Sequence, residues 1–238
     1  PFAALFRNIK IFYSRDPIST LLAMLLGRRV IFETYRCLGD DYPRAMRFLS
    51  RFARSRRFLG IITHSRHAAN SIARAGFPPE KLAPIHNGFD PADMEPVLDK
   101  TAARKACGLP LRKFLAVYTG NMQANKGIES IIELAAAVPE TTFVLVGGTP
   151  ADIARLEETA AARSCRNVIF TGMKPVGEVP RYLHAADVLL IPPTAAPLRL
   201  YGRTVLPSKT FLYMAAGRPT PGPDLPALRE VLTARSAL

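Results

Sequence analysis

The sequence predicts an α/β protein made of two doubly wound parallel-sheet domains. Three observations lead there. Short apolar runs of strand length recur along most of the 238 residues and are apolar at successive positions, as strands buried on both faces are. Nearly every run is followed by a segment of helical period, and such alternation makes a parallel sheet covered on both sides. A turn-rich stretch, Asn87 to Pro96, carries Asn87-Gly88, Asp90-Pro91 and Glu95-Pro96 and divides the alternation in two. It sets domains at residues 1–95 and 96–238.

In the first domain, Ile9 to Tyr13 is read as a strand and Ile18 to Leu26 as a helix started by Asp16-Pro17. Val30 to Glu33 is a strand, residues 43–59 a helical pattern, and Gly60 to Thr63 the next strand. Ala68 to Ala75 is helical and stops at Gly76, and Leu82 to Ile85 closes the set. In the second domain, Leu115 to Thr119 is a strand ending at Gly120, and residues 126–137 form a helix with Ile128, Ile131, Ile132 and Ala135 on one face. Phe143 to Val146, Val168 to Thr171 and Val188 to Ile191 are strands. Ile153 to Arg163, residues 176–185 and residues 207–216 are helices, the last stopped by Gly217. In open sheets of this kind ligands bind beyond the carboxyl ends of the strands. That rule selects the loops Gly120 to Lys126, Gly147-Gly148, Gly172-Met173 and Pro192 to Arg199.

Composition narrows the partners. At 48% hydrophobic the chain can bury a core. No apolar run approaches the ~20 residues that span a bilayer. Three scattered cysteines, Cys37, Cys107 and Cys165, give neither a disulfide framework nor a metal pattern and fit a reducing compartment. The formal net charge of +13 predicts attraction to an anion: a diphosphate, an anionic membrane or nucleic acid. The basic residues are scattered and lack aromatic interleaving, which argues against nucleic acid. The chain opens on Pro1 and is expected to be a piece or a processed form of a longer protein.

Two loops carry the candidate chemistry. The segment Gly120 to Gly127 leaves a strand and opens a helix, whose free N–H groups and partial positive charge suit phosphate, and Lys126 adds a full charge. It is not a Walker loop, since no glycine precedes the lysine and no Ser or Thr follows Gly127. A solvated lysine is the alternative. In the second loop Pro207 and Ser208 read as helix-start residues with Lys209 in the first turn. A lysine there opposes the helix dipole unless an anion is bound; otherwise it snorkels to solvent.

The order of these segments resembles the large retaining glycosyltransferase family with the GT-B fold. Residues 63–96, with a strand, Ser65, a helix, Gly76, Pro78, Lys81 and then Asn87-Gly88-Phe89-Asp90, resemble its interdomain passage. Residues 118–127 resemble its Lys-Gly loop. Residues 167–193 resemble its Asn-Val-x-Phe-x-Gly and Ala-Asp-Val signatures, and residues 207–232 its donor-binding helix. The match is good over residues 60–232 and looser before. It implies two Rossmann-like domains facing each other, the first incomplete and the second lacking its last strand and closing helix. It implies sugar transfer from a nucleotide-diphosphate sugar to a glycan or lipid-linked acceptor, with retention, without metal or other cofactor, in the cytosol or at the inner membrane face. By resemblance Lys126 holds the donor diphosphate, with Asn121 near the same phosphates. Gly120 belongs to that loop, Gly172 and Met173 offer backbone atoms to the nucleobase, and Pro207, Ser208 and Lys209 face the donor.

The chain also departs from the family. Where the family has a Glu, seven residues and a second Glu, Thr204 and Leu212 stand here, and leucine accepts no hydrogen bond from a ribose hydroxyl. Where the first domain often has a His, Tyr35 stands. These departures keep open a nucleotide-sugar-binding protein that has lost catalysis. Glu33, at a strand end, is either an acceptor-side residue together with Tyr35 or a buried partner for Arg36. Along residues 43–59, Arg44, Arg47, Arg51 and Arg54 recur at helical spacing opposite Ala45, Phe48, Leu49 and Phe52. Such a helix either lies on an anionic membrane or packs on the first sheet. His64 and His67 have no carboxylate or cysteine nearby in sequence, so no metal site is expected. The Asp40-Asp41 pair reads as part of a solvated loop.

Overall fold

The computed structural model describes residues 9–193 and 206–233. The chain divides into two units, and both are α/β. In the first unit β1 (Ile11–Ser14), β2 (Arg29–Thr34), β3 (Phe58–Thr63) and β4 (Leu82–Pro84) form one parallel sheet in that order. Helix α1 (Pro17–Leu25) starts as its sequence dictates: the Asp16 carboxylate accepts the Ser19 N–H at 2.6 Å and Pro17 occupies the first turn. Helix α2 (Leu38–Asp41) is one turn long, and α3 (Pro43–Leu49) follows it. Helix α4 (Arg66–Arg74) is capped by Ser65, which accepts the Ala68 N–H at 3.1 Å. Ala23, Val30, Phe32, Ile61 and Ile72 make the core of this unit.

Residues 43–59 are not one helix. The chain leaves helical geometry after Leu49, makes a short 3-10 turn at Phe52–Arg54 and enters β3 at Phe58. The buried side chains there are Met46 and Ala53, whereas Ala45 and Phe48 are exposed. The regular spacing of arginines masked the break, because a basic stripe carries no information on where apolar packing stops. Lys81 holds the segment that follows: its ammonium donates to the carbonyls of Ala53, Ser55 and Phe58 at 2.7–2.9 Å, which fixes the turn into β3.

The division between units falls after Asn87, inside the turn-rich stretch rather than at its end. Residues 88–95 join the second unit because Met94 is buried there and His184 Nε2 lies 3.3 Å from its carbonyl. Residues 225–230 pack with the first unit, a return that the sequence reading did not contain.

The second unit holds α5 (Lys100–Ala106), β5 (Phe114–Thr119), α6 (Ile128–Ala137), β6 (Thr141–Val146), α7 (Pro150–Ala162), β7 (Val168–Gly172), α8 (Val179–Ala185), β8 (Val188–Leu189) and α9 (Lys209–Ala215). Helix α5 was not predicted. Asp99 starts it, accepting the Thr101 and Ala102 N–H groups at 2.9 Å. The strand order is β7-β6-β5-β8, all parallel. The chain therefore winds outward from β5 through β7 and then reverses to β8 on the other side of β5. That reversal is a topological switch point, where the loops beyond β5 and β8 separate and leave a crevice. Among the described strands of the first unit the order runs one way only.

Two family-like signatures prove to be structural. Asn167 donates through its amide nitrogen to the carbonyls of Ala135, Val138 and Thr141 at 2.9–3.1 Å, tying α6 to β6. Asp187 accepts from Lys100, Arg104 and the Leu115 N–H at 2.6–2.8 Å. Arg104 is buried and also donates to the carbonyls of Ala185, Leu111 and Lys113. A largely buried charge pair tied by four guanidinium hydrogen bonds holds its place, because removing one partner strands the other.

Candidate functional site

The switch point of the second unit is built from backbone outward. Strand β5 is fully buried from Leu115 to Tyr118, and it ends in a loop that three side chains pin. The Tyr118 hydroxyl donates to the Asn121 carbonyl at 2.7 Å, so the chain turns back over the ring. The Thr119 N–H donates to the Tyr213 hydroxyl at 2.8 Å. The Lys209 ammonium donates to the Thr119 carbonyl at 2.7 Å and lies 3.7 Å from the centre of the Tyr118 ring. Lys209 and Tyr213 are four apart on α9 and so share one face of it. Burial raises the Tyr118 phenol and pushes that of Tyr213 up to about 12, so both stay neutral hydrogen-bonding groups.

Neighbouring glycines let the strand ends approach. Gly147 has φ +120°, and a Cβ on it would stand 2.2 Å from the Gly120 carbonyl oxygen. Gly120 itself, at φ +135°, has Lys209 Nζ where a Cβ would be, at 2.9 Å. Side chains are excluded from this floor, which is what close approach of a ligand's phosphates requires.

The charge here is cationic and unbalanced. Among the described residues neither Lys209 nor Lys126 has a carboxylate within ion-pair distance. Burial first, and then the nearby charge of Lys126, pull the Lys209 ammonium down to about 7. Lys126 closes a 3-10 turn at Ala124–Lys126, and the left-handed Gly127 (φ +71°) then starts α6 with no side-chain cap, so its first N–H groups are open to a ligand. Arg155 steadies this loop by donating to the Met122 carbonyl at 2.8 Å and to Glu129.

The predicted donor residues thus divide. Gly120, Asn121, Lys126 and Lys209 converge on one edge. Ser208 sits at the helix start as predicted, but in helical geometry and without a side-chain cap bond, and Pro207 precedes it. The Gly172 carbonyl already accepts from the Gly147 N–H at 2.9 Å and the Thr171 hydroxyl at 3.2 Å, and Gly172 pairs with Val146 in the sheet, so its backbone is engaged in the fold. Met173 is exposed. Leu212 is half-buried on α9; Thr204 and residues 194–199 of the predicted loop lie outside the described residues. Sequence reading missed Tyr118 and Tyr213. The available signal was their position: one residue before the end of a buried strand, and four residues after the lysine on its helix.

At the carboxyl edge of the first sheet Glu33 is buried, and its partner is not Arg36. Arg15 donates to it at 2.9 Å through Nε, and His64 Nε2 lies 2.7 Å away. Arg36 instead pairs with Asp41 at 2.9 Å, so Asp41 is not a solvated loop residue. Tyr35 is half-exposed, and it lines with Arg15, Glu33, Arg36 and Tyr42 a cavity of about 320 Å³ floored by Phe32 and Met46. Glu33 and Tyr35 thus share one pocket wall. Glu230, on the segment returning to this unit, accepts the Arg66 and His67 N–H groups at the start of α4, both at 2.7 Å, and lies 2.8 Å from His86 Nε2. Burial works to raise the Glu230 carboxyl, but these hydrogen bonds outweigh it and hold the group below the usual glutamate range.

Comparison with known proteins agrees with this fold. The chain is 32% identical over 116 residues to the putative teichuronic acid biosynthesis glycosyltransferase TuaH of Bacillus subtilis, covering 48% of this chain and 28% of that protein. It is 28% identical over 160 residues to the putative colanic acid biosynthesis glycosyl transferase WcaI of Escherichia coli, covering 66% of this chain and 38% of that one. The chain therefore spans well under half the length of these curated relatives. Its fold is similar to that of Anabaena HepE, solved in complex with UDP-glucose, with a TM-score of 0.72 at 18% identity over 98% of this chain and 64% of that one. Residues 113–237, just over half of the chain, match the family described as Glycosyl transferases group 1. The chain belongs to that family.

Proposed function

We propose that this chain is the donor-binding part, and some of the acceptor side, of a glycosyltransferase that uses a nucleotide-diphosphate sugar. The observation that carries the proposal is the half-buried Lys209 ammonium, held over the end of β5 with Lys126 nearby and no carboxylate partner among the described residues. A diphosphate supplies the missing negative charge. In the transfer the bond from the sugar C1 to the diphosphate oxygen breaks, and the diphosphate leaves with the bonding electrons. The acceptor oxygen bonds C1 on the same face, retaining configuration, and its proton passes to the departing diphosphate. Two ammonium groups and the open N-terminus of α6 stabilise the growing charge, so no metal is required. The acceptor is a glycan or lipid-linked sugar, bound by the cavity beside Glu33 and Tyr35. Exposed Arg44, Arg47, Arg51 and Arg54, beside exposed Phe48, suit work at the cytoplasmic face of an anionic membrane.

The test is donor turnover by the full-length protein in the presence of a metal chelator, with product configuration read by NMR. Consumption of the donor with retention, slowed by about 10–100-fold in Lys126→Ala, is the expected result. Binding of the donor without any turnover would instead favour a protein that has lost catalysis, the reading Leu212 motivates. Vesicle sedimentation tests the membrane role: Arg47, Arg51 and Arg54 changed to Glu should abolish binding to anionic vesicles.

A further inference from the structure

We propose that Cys37, Asp40 and His67 form a binding site for a divalent cation of the zinc class. The fold of the first unit brings the thiol, a carboxylate oxygen and an imidazole nitrogen of these residues within 4.8 Å of one another. Sequence spacing hid the group, since His67 comes from a different segment than Cys37 and Asp40.

The two segments are fixed together by backbone as well as by side chains. Cys37 opens α2, Asp40 lies within it, and His67 lies in the first turn of α4. A Cβ on Gly39 would stand 1.9 Å from the Ser71 carbonyl oxygen, so only glycine allows α2 to approach α4 this closely. The Asp40 N–H donates to the Ser71 hydroxyl at 2.9 Å. Each flexible ligand is steadied by a group that is not itself a ligand. Arg74 donates to both Asp40 oxygens at 2.9 Å, and Glu230 accepts the backbone N–H of His67 at 2.7 Å, which fixes the main chain that carries the imidazole. A hydrogen-bonded carboxylate such as Asp40 is a usual feature of metal sites.

The donor set selects the ion. A thiolate with an imidazole and one carboxylate suits zinc and its neighbours, whereas calcium and magnesium require oxygen ligands throughout. Ligands of one tetrahedral zinc stand about 3.3–3.7 Å apart. Any closing needed comes from rotation of the Asp40 carboxylate, which is exposed, and of the half-exposed His67 ring, while the buried thiol stays in place. Three protein ligands leave a fourth position to water. Binding converts the thiol to thiolate and releases its proton. Arg36 and Leu38, on either side of Cys37, line the cavity beside Glu33, so the ion would brace that wall without taking part in the departure of the diphosphate.

Cobalt(II) and zinc(II) titrations of the chelator-stripped full chain test the site. One equivalent of cobalt should produce a thiolate-to-cobalt charge-transfer band, and zinc should displace it. Cys37→Ser should remove the band. His67→Ala, at a half-exposed position, should weaken zinc binding about 100-fold or more while circular dichroism stays native. A native-like chain that binds zinc equally well with and without Cys37 and His67, or gives no thiolate band, overturns the proposal.

Discussion

At the carboxyl edge of the first sheet the buried Glu33 is met by Arg15 and His64; at the edge of the second, the half-buried Lys209 has, among the described residues, a carbonyl and a ring face. Both are ionisable groups at strand ends, and both sit where α/β sheets bind ligands. The difference lies in who completes the charge. In the first unit the fold itself does so, and the same holds for Arg36 with Asp41 and Glu230 with His86. In the second unit the fold builds a floor of glycine backbone and leaves two ammonium groups above it. A fold that leaves a buried charge uncompensated stores an affinity for the opposite charge.

The contrast can be broken by substitution. The largest expected effect is at the floor: Gly147→Ala forces a Cβ against the Gly120 carbonyl at an unfavourable φ. It should cost about 2–5 kcal/mol in urea unfolding and abolish nucleotide diphosphate binding. Next, Lys209→Met should weaken nucleotide diphosphate binding about 10–100-fold by calorimetry, whereas Glu33→Gln should leave that binding unchanged. Equal losses in the two variants would erase the distinction between the edges. In stability the order reverses. Glu33→Ala should cost about 1–3 kcal/mol, because His64 loses a buried partner, while Lys209→Met should cost less.

pH sharpens the same contrast. The folded Lys209 is depressed to about 7, below its unfolded value of 10.5, so between these values the unfolded chain binds more protons. Ligand-free stability should therefore gain from Lys209 as pH rises through 7 towards 10.5, and Lys209→Met should remove that gain in thermal melts. Glu230 has the same sign in a more acidic window. Its folded carboxyl is held low, so its contribution is present above about pH 4.5 and is lost as pH falls through the folded value. The smallest expected effect is Glu230→Ala, costing about 1 kcal/mol at neutral pH, the worth of a helix cap, and nothing in strong acid.

Much of this was legible in the residues. Runs such as Leu115 to Tyr118 and Phe143 to Val146 are apolar at every position, so strands buried on both faces were readable before any coordinates, as was the loop carrying Lys126. Asp16-Pro17 announced a helix that begins there. Less was legible where packing rather than pattern decides. The arginine spacing over residues 43–59 ran straight through the helix end at Leu49 and the turn beyond it, which Lys81 holds from a distant part of the chain. Pairing Glu33 with Arg36 was one of two readings, suggested by closeness in sequence, yet β2 ends at Thr34 before Arg36, and the partners come from the ends of β1 and β3. The Cys37–Asp40–His67 group and the Tyr213 bond to Thr119 were hidden because each depends on contacts between segments far apart in the chain.

Proton uptake on nucleotide binding tests the central claim most directly. UDP, and GDP in parallel, should be titrated into the full chain at pH 8 in buffers of different ionisation enthalpy. Free Lys209 is mostly neutral there and a bound diphosphate would recharge it, so uptake approaching one proton per ligand is expected, and Lys209→Met should abolish it. Binding with no proton uptake, or with uptake unchanged in that variant, would contradict a diphosphate seated on Lys209.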